Sequence, residues 1–228
     1  CVYLAFNTDI KNEVVEKMNG TGCEVYTTHG FTFGVLRRKF KALRRAGYKP
    51  QKQSEYNGEL FLQLLCDDFS FDYSGGSYKA VRQKGEYLIR SQVIELVGYI
   101  KNNAVFPKLD ADGYHFSHDQ MNFIDELIDE YDIEQPDFDD VDEEDLPTLF
   151  DANDSDAVRD AIVQFACRCV LAACPLPGNE VTNIEFDDML YLTLLLNLPL
   201  PKYDIVLTDE SQDFNACQVL LLERLASE

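Results

Sequence analysis

An α/β alternation opens this chain, stops, and resumes near its far end, and no other feature constrains the fold as much. Val2-Tyr3-Leu4-Ala5-Phe6 reads as a short buried strand. Asn7 or Thr8 can cap the helix that follows, because a side-chain oxygen there accepts a free N–H of the first turn. Ile10, Val14, Val15 and Met18 then fall on one helical face, and Asn19-Gly20 stops it. Glu24 to Thr27 reads as a second strand. A helix is expected from Gly30, with Phe33, Leu36, Phe40 and Leu43 as its apolar stripe and Gly47 as its end. Strand, helix, strand, helix in the first 50 residues is the rhythm of a parallel sheet with flanking helices. The rhythm returns at Tyr203 to Thr208, a run apolar enough for a central parallel strand, followed by a helix that Asn215 caps and that runs to about Ala226.

Between these ends the pattern is helical. Residues 56–66 and 86–102 have helical periodicity, and Ser117 to Gln120 is a capping box opening a helix to about Tyr131. Pro136 to Leu146 is acidic with little apolar content, and Asp137–Asp145 is expected to be exposed. Residues 156–174 make a further helix, Pro177-Gly178-Asn179 a turn, and Phe186 to Asn197 a helix that leads back to the sheet. Residues 50–180 therefore read as a large, mostly helical insertion.

Charge is divided along the chain. Residues 1–52 hold 10 basic and 4 acidic residues, whereas residues 106–160 hold 2 basic and 20 acidic. The formal net charge is −21, yet 46% of residues are hydrophobic, which excludes an acidic disordered tail. No apolar run reaches the roughly 18 residues of a membrane span, so no membrane partner is expected and a cytoplasmic location is. The seven cysteines form no Cys-x-x-Cys pair and read as small buried hydrophobes in a reducing compartment.

The strongest chemical signal is Asp209-Glu210-Ser211-Gln212-Asp213, at the carboxyl end of the Ile205–Thr208 run. Ligands of open parallel sheets sit outside such strand ends. Two adjacent carboxylates there can divide their work, one holding Mg²⁺ through water and the other orienting or deprotonating the water that attacks a γ-phosphate. Gln212 can contact that water or the phosphate. The competing reading is an acidic loop stabilised by the dipole of the next helix. At the other end, Phe6-Asn7 and Thr27-Thr28-His29-Gly30 both follow strands and open helices, where backbone N–H groups suit phosphates. Phe6 reads either as core or as a base-stacking ring, and His29 either as a satisfied loop histidine or as a contact. Arg37, Arg38, Lys39, Lys41, Arg44 and Arg45 form either a solvated helix face or a track for a phosphate backbone.

Together these segments resemble the UvrD/Rep-like superfamily 1 DNA helicases. The resemblance rests on Ala5-Phe6-Asn7-x-x-Ile10-x-x-Glu13, Thr27-x-His29-Gly30, Phe186-Asp187-Asp188-Met189-Leu190 and Asp209-Glu210-Ser211-Gln212-Asp213, in the family's order and with a long helical insertion between the second and third. Thr28 stands where the family usually has Phe. The resemblance implies a partial RecA-like ATPase core from residues 1–49 and 181–228, interrupted by an insertion over 50–180 that is similar to subdomain 1B. It implies ATP and Mg²⁺ as cofactors, with Asp209 the metal residue, Glu210 the catalytic base, and Gln212 coupling the γ-phosphate to motion. It places Phe6, Asn7, Thr27, His29 and Gly30 in the contacts to single-stranded DNA.

No Gly-x-x-x-x-Gly-Lys-Ser/Thr loop occurs, and the chain begins at Cys1 on an apolar strand. The expectation is an excerpt of a helicase that does not turn over ATP by itself. Two rival functions stand beside it. One is an acidic helical module that binds a protein partner or mimics DNA charge through residues 106–160. The other is a related helicase–nuclease subunit.

Overall fold

The computed structural model describes residues 1–72 and 76–227. In chain order its elements are β1 (Val2–Ala5), α1 (Thr8–Lys17), β2 (Glu24–Thr27), α2 (Thr28–Lys39), α3 (Gln53–Asp68), α4 (Gly76–Arg82), α5 (Arg90–Asn102), β3 (Lys108–Asp110), β4 (Gly113–His115), α6 (His118–Glu130), α7 (Ser155–Ala173), α8 (Asp188–Leu195), β5 (Val206–Thr208) and α9 (Ala216–Leu225). They divide into two compact units. The first comprises Cys1–Pro50, Lys101–Ala104 and Asn179–Glu228, the second Gln51–Ile100 and Val105–Gly178.

The first unit is built on a three-stranded parallel sheet in the order β2-β1-β5. Val2 pairs with Glu24 on one side and Val206 on the other, and Leu4 with Tyr26 and Thr208. Parallel neighbours need a crossover, and α1 supplies the one between β1 and β2. Val2, Leu4 and Ala5 are fully buried, as a central strand requires. α2, α8 and α9 supply the rest of the core through Val35, Leu36, Met189, Leu190, Leu221 and Leu225.

Several boundaries differ from expectation. α2 begins at Thr28, not Gly30, because the Thr27 hydroxyl accepts the Gly30 N–H at 3.0 Å and caps the helix there. It ends at Lys39, where Phe40 turns extended at φ −105 and ψ 119, and a 3-10 turn at Ala42–Arg44 follows. Burying Phe40 and Leu43 takes precedence over continuing the helix to Gly47. β5 is shorter than the apolar run and lies at an edge of the sheet among the described residues. Ile205 is 54% exposed and Leu207 36%, so the expectation of a central strand is corrected. The apolar face of α1 is also open: none of its residues is buried.

The second unit is mainly helical. α7 carries its core, packing on α3, where Phe61 and Phe165 meet edge to face at 5.3 Å. The expected capping box is present at Ser117 and Gln120. One feature was not expected: β3 and β4 form a short antiparallel ladder. The carboxylates of Asp137–Asp145 are exposed, as an unpaired acidic run must be. No helix among the described residues is long and apolar enough to cross a membrane.

Candidate functional site

The parallel register brings three strand ends to one edge. Leu4 is opposite Thr208 and Ala5 opposite Thr27, so Phe6, Thr28 and Asp209 each lie just beyond a strand's carboxyl end. Helices α1 and α2 both start here. Asn7 Oδ1 accepts the Ile10 N–H at 2.9 Å, which settles the α1 cap on Asn7 and leaves Thr8 inside the helix. Two helix N-termini at one sheet edge favour anionic ligands.

Phe6, Asn7, Thr27, His29 and Gly30 line one cavity of about 670 Å³. The sequence-expected nucleic-acid contacts therefore come together in three dimensions. Phe6 is 43% exposed, so its ring is not core. The cavity's remaining wall includes Phe33, Lys49, Phe186 and Met189, which sequence reasoning did not assign to it. Phe186 is the most informative of these. It is 52% exposed, and its ring stacks on His29 with centroids 4.1 Å apart. The imidazole is half-buried. Burial lowers the His29 pKa from 6.5 to about 4, with Glu185 opposing, so the ring is neutral at pH 7. An exposed aromatic beside a neutral stacked ring, one lysine and two helix starts is a surface suited to bases and phosphates together.

Gly30 has a steric reason to be glycine. A Cβ there would meet Thr27 Oγ1 at 2.8 Å and push out the cap that starts α2.

Asp209, Glu210 and Gln212 are not among the residues lining this cavity. Asp209 adjoins it through the backbone, since Phe6 N–H donates to Asp209 Oδ1 at 3.1 Å. Its other oxygen, Oδ2, is buried with no hydrogen-bond partner. A carboxylate oxygen withdrawn from water and left unpaired is costly, and a hydrated cation would satisfy it. No cluster of three or more His, Cys, Asp or Glu occurs among the described residues. One carboxylate nevertheless suits Mg²⁺, which keeps several waters and draws other ligands from phosphates. Glu210 is exposed and sits in the left-handed region at φ 46 and ψ 38, unusual for a residue with a Cβ. Its Oε2 accepts the Gln212 side-chain N–H at 2.6 Å, so the two groups are already oriented toward each other.

The basic cluster is partly structural. The Arg44 guanidinium donates to the carbonyls of Arg37, at 2.6 Å, and Arg38, closing the end of α2. Arg45 donates to Ala42 and Thr182. Arg37, Arg38 and Lys39 remain exposed.

The family model for the UvrD/REP helicase N-terminal domain matches residues 7–228. No curated protein and no solved structure matches the chain.

Proposed function

Because the chain belongs to the UvrD/Rep helicase family, we propose that it forms part of an ATP-dependent motor that moves along single-stranded DNA and unwinds duplex. The division of labour follows the notion of a partial RecA-like core from residues 1–49 and 181–228 with a helical insertion over 50–180. The observation that supports this reading best is the gathering of Phe6, Asn7, Thr27, His29 and Gly30 in one cavity, one hydrogen bond away from Asp209.

In this reading Asp209, whose Oδ2 has no hydrogen-bond partner, would hold Mg²⁺, which would supply charge neutralisation for the phosphate oxygens of ATP. Glu210 accepts a proton from the attacking water, and Gln212, already bonded to it, holds that carboxylate and responds when the γ-phosphate leaves. Phe6 and Phe186 present rings to bases, while Asn7, Thr27 and the helix starts hold the strand's backbone. A neutral His29 keeps the ring stack free of charge repulsion from other cations.

The test is fluorescence anisotropy with a labelled single-stranded oligonucleotide. The reading predicts binding that weakens with salt and falls about fivefold or more in Phe6→Ala. Binding unaffected by Phe6→Ala would contradict it.

A further inference from the structure

We propose that Lys101 is a positioning residue of the single-strand cavity, setting the backbone that carries Phe186 onto His29. The inference rests on the reading of that cavity as a nucleic-acid site.

Lys101 is in the last turn of α5 and is 1% exposed. A buried ammonium is tolerable only when paired. Its Nζ lies 2.5 Å from Glu185 Oε1 and 2.8 Å from Asp188 Oδ1, and both acids are fully buried. Burial by itself would lower the lysine's pKa, but the Asp188 and Glu185 carboxylates outweigh it and the net direction is upward, so the ammonium stays charged. Each acid turns its second oxygen back on the chain. Glu185 Oε2 accepts the Asp187 N–H at 3.0 Å, and Asp188 Oδ2 accepts the Glu185 N–H at 3.1 Å.

Lys101 thus grips both carboxylates that hold the backbone amides on either side of Phe186. The ring is half exposed, yet the peptide units around it are locked. Without the cation, Glu185, Asp187 and Asp188 are three carboxylates within four residues with nothing to gather them, and the turn has no reason to keep one shape. Lys101 is itself anchored at its carbonyl, which accepts the Cys217 thiol at 3.0 Å, and Asn102 next to it accepts from Asn215 at 2.7 Å.

The experiment combines a double-mutant cycle with an NMR signature. Binding of a labelled single-stranded oligothymidylate is measured for wild type, Lys101→Met, Phe186→Ala and the double variant. The imidazole protons of His29, one of three histidines in the chain, are followed for the upfield ring-current shift that a stacked Phe186 imposes. Each single substitution should weaken binding about five- to tenfold, and the double variant should be no weaker than the worse single, because both remove the same ring contact. The ring-current shift should disappear in Lys101→Met as it does in Phe186→Ala. Asp188→Asn leaves Lys101 paired one-to-one with Glu185 and strands no buried cation. It carries the same prediction at about two- to threefold should Lys101→Met fail to fold. Wild-type affinity in a folded Lys101→Met or in Asp188→Asn, losses that multiply in the double variant, or an unchanged His29 shift would each overturn the proposal. Wild-type protein that binds no oligothymidylate overturns the reading of the cavity instead, and the His29 shift then still decides whether Lys101 positions Phe186.

Discussion

The backbone N–H of Phe6 donates to Asp209 Oδ1 at 3.1 Å, joining residues 203 positions apart in sequence. One end of this contact belongs to a ring that lines the cavity, the other to a carboxylate whose second oxygen awaits a partner. The two oxygens of Asp209 therefore differ, one held by the Phe6 amide and the other without a partner, and substitutions can separate them.

Asp209→Asn keeps an oxygen for the Phe6 amide and loses the charge. Mg²⁺-dependent nucleotide binding should weaken about tenfold or more in the full-length protein, while oligonucleotide affinity stays within about twofold of wild type. Asp209→Ala removes both oxygens and should also weaken oligonucleotide binding, by about three- to tenfold. Nucleotide titrations with and without Mg²⁺, set beside anisotropy, check the split.

Glu210 adopts a left-handed backbone at φ 46. Such a conformation costs a residue with a Cβ roughly 1 kcal/mol, and glycine is free of that cost. Glu210→Gly should therefore raise stability by about 0.5–1 kcal/mol in urea unfolding. Unchanged or lower stability would show that the side chain's bond to Gln212 outweighs the strain.

Gly30→Ala puts a methyl group against the Thr27 hydroxyl. Loss of that cap should destabilise the chain by about 1 kcal/mol. Oligonucleotide affinity should fall with it, since Thr27 and Gly30 both line the cavity. Thr27→Ala should reproduce the stability loss without adding bulk.

Two half-buried groups titrate in opposite senses. Burial lowers His29 from 6.5 to about 4. The unfolded chain therefore binds more protons between those values, and His29's contribution is full above 6.5 and lost as pH falls toward 4. Burial, reinforced by Glu185, raises Asp187 from 3.8 to about 7. Here the folded chain binds more protons, so the contribution is full below 3.8 and lost as pH rises through 7. Wild-type stability should change little between pH 5 and 6.5 as the two oppose. Asp187→Asn should leave a slope that rises with pH, and should exceed wild type by about 1–3 kcal/mol at pH 8. Calorimetric melting across pH 5–8 checks both.

Local signals carried much of this site. A strand followed at once by a capping residue is a short-range pattern, so Phe6-Asn7, the Thr27 segment and Asp209-Glu210 were readable as strand ends, and the parallel register then brought them together. Four features escaped for physical reasons. Periodicity reports that a segment is amphipathic, not what covers it, so the open face of α1 and the exposure of Ile205 were invisible. β3 is exposed at all three positions and offers no alternation. Lys101 lies 84 positions from Glu185, and nothing local distinguishes a lysine that will be buried from one on a surface.

Glu210, beside Asp209, is the group we propose takes the proton from the water that attacks ATP. The decisive assay is single-strand-stimulated ATP hydrolysis by the full-length protein carrying Glu210→Gln, with nucleotide affinity measured on the same preparation. Turnover should be lower by about a hundredfold or more, with nucleotide affinity within about threefold of wild type. Wild-type turnover in Glu210→Gln would contradict it.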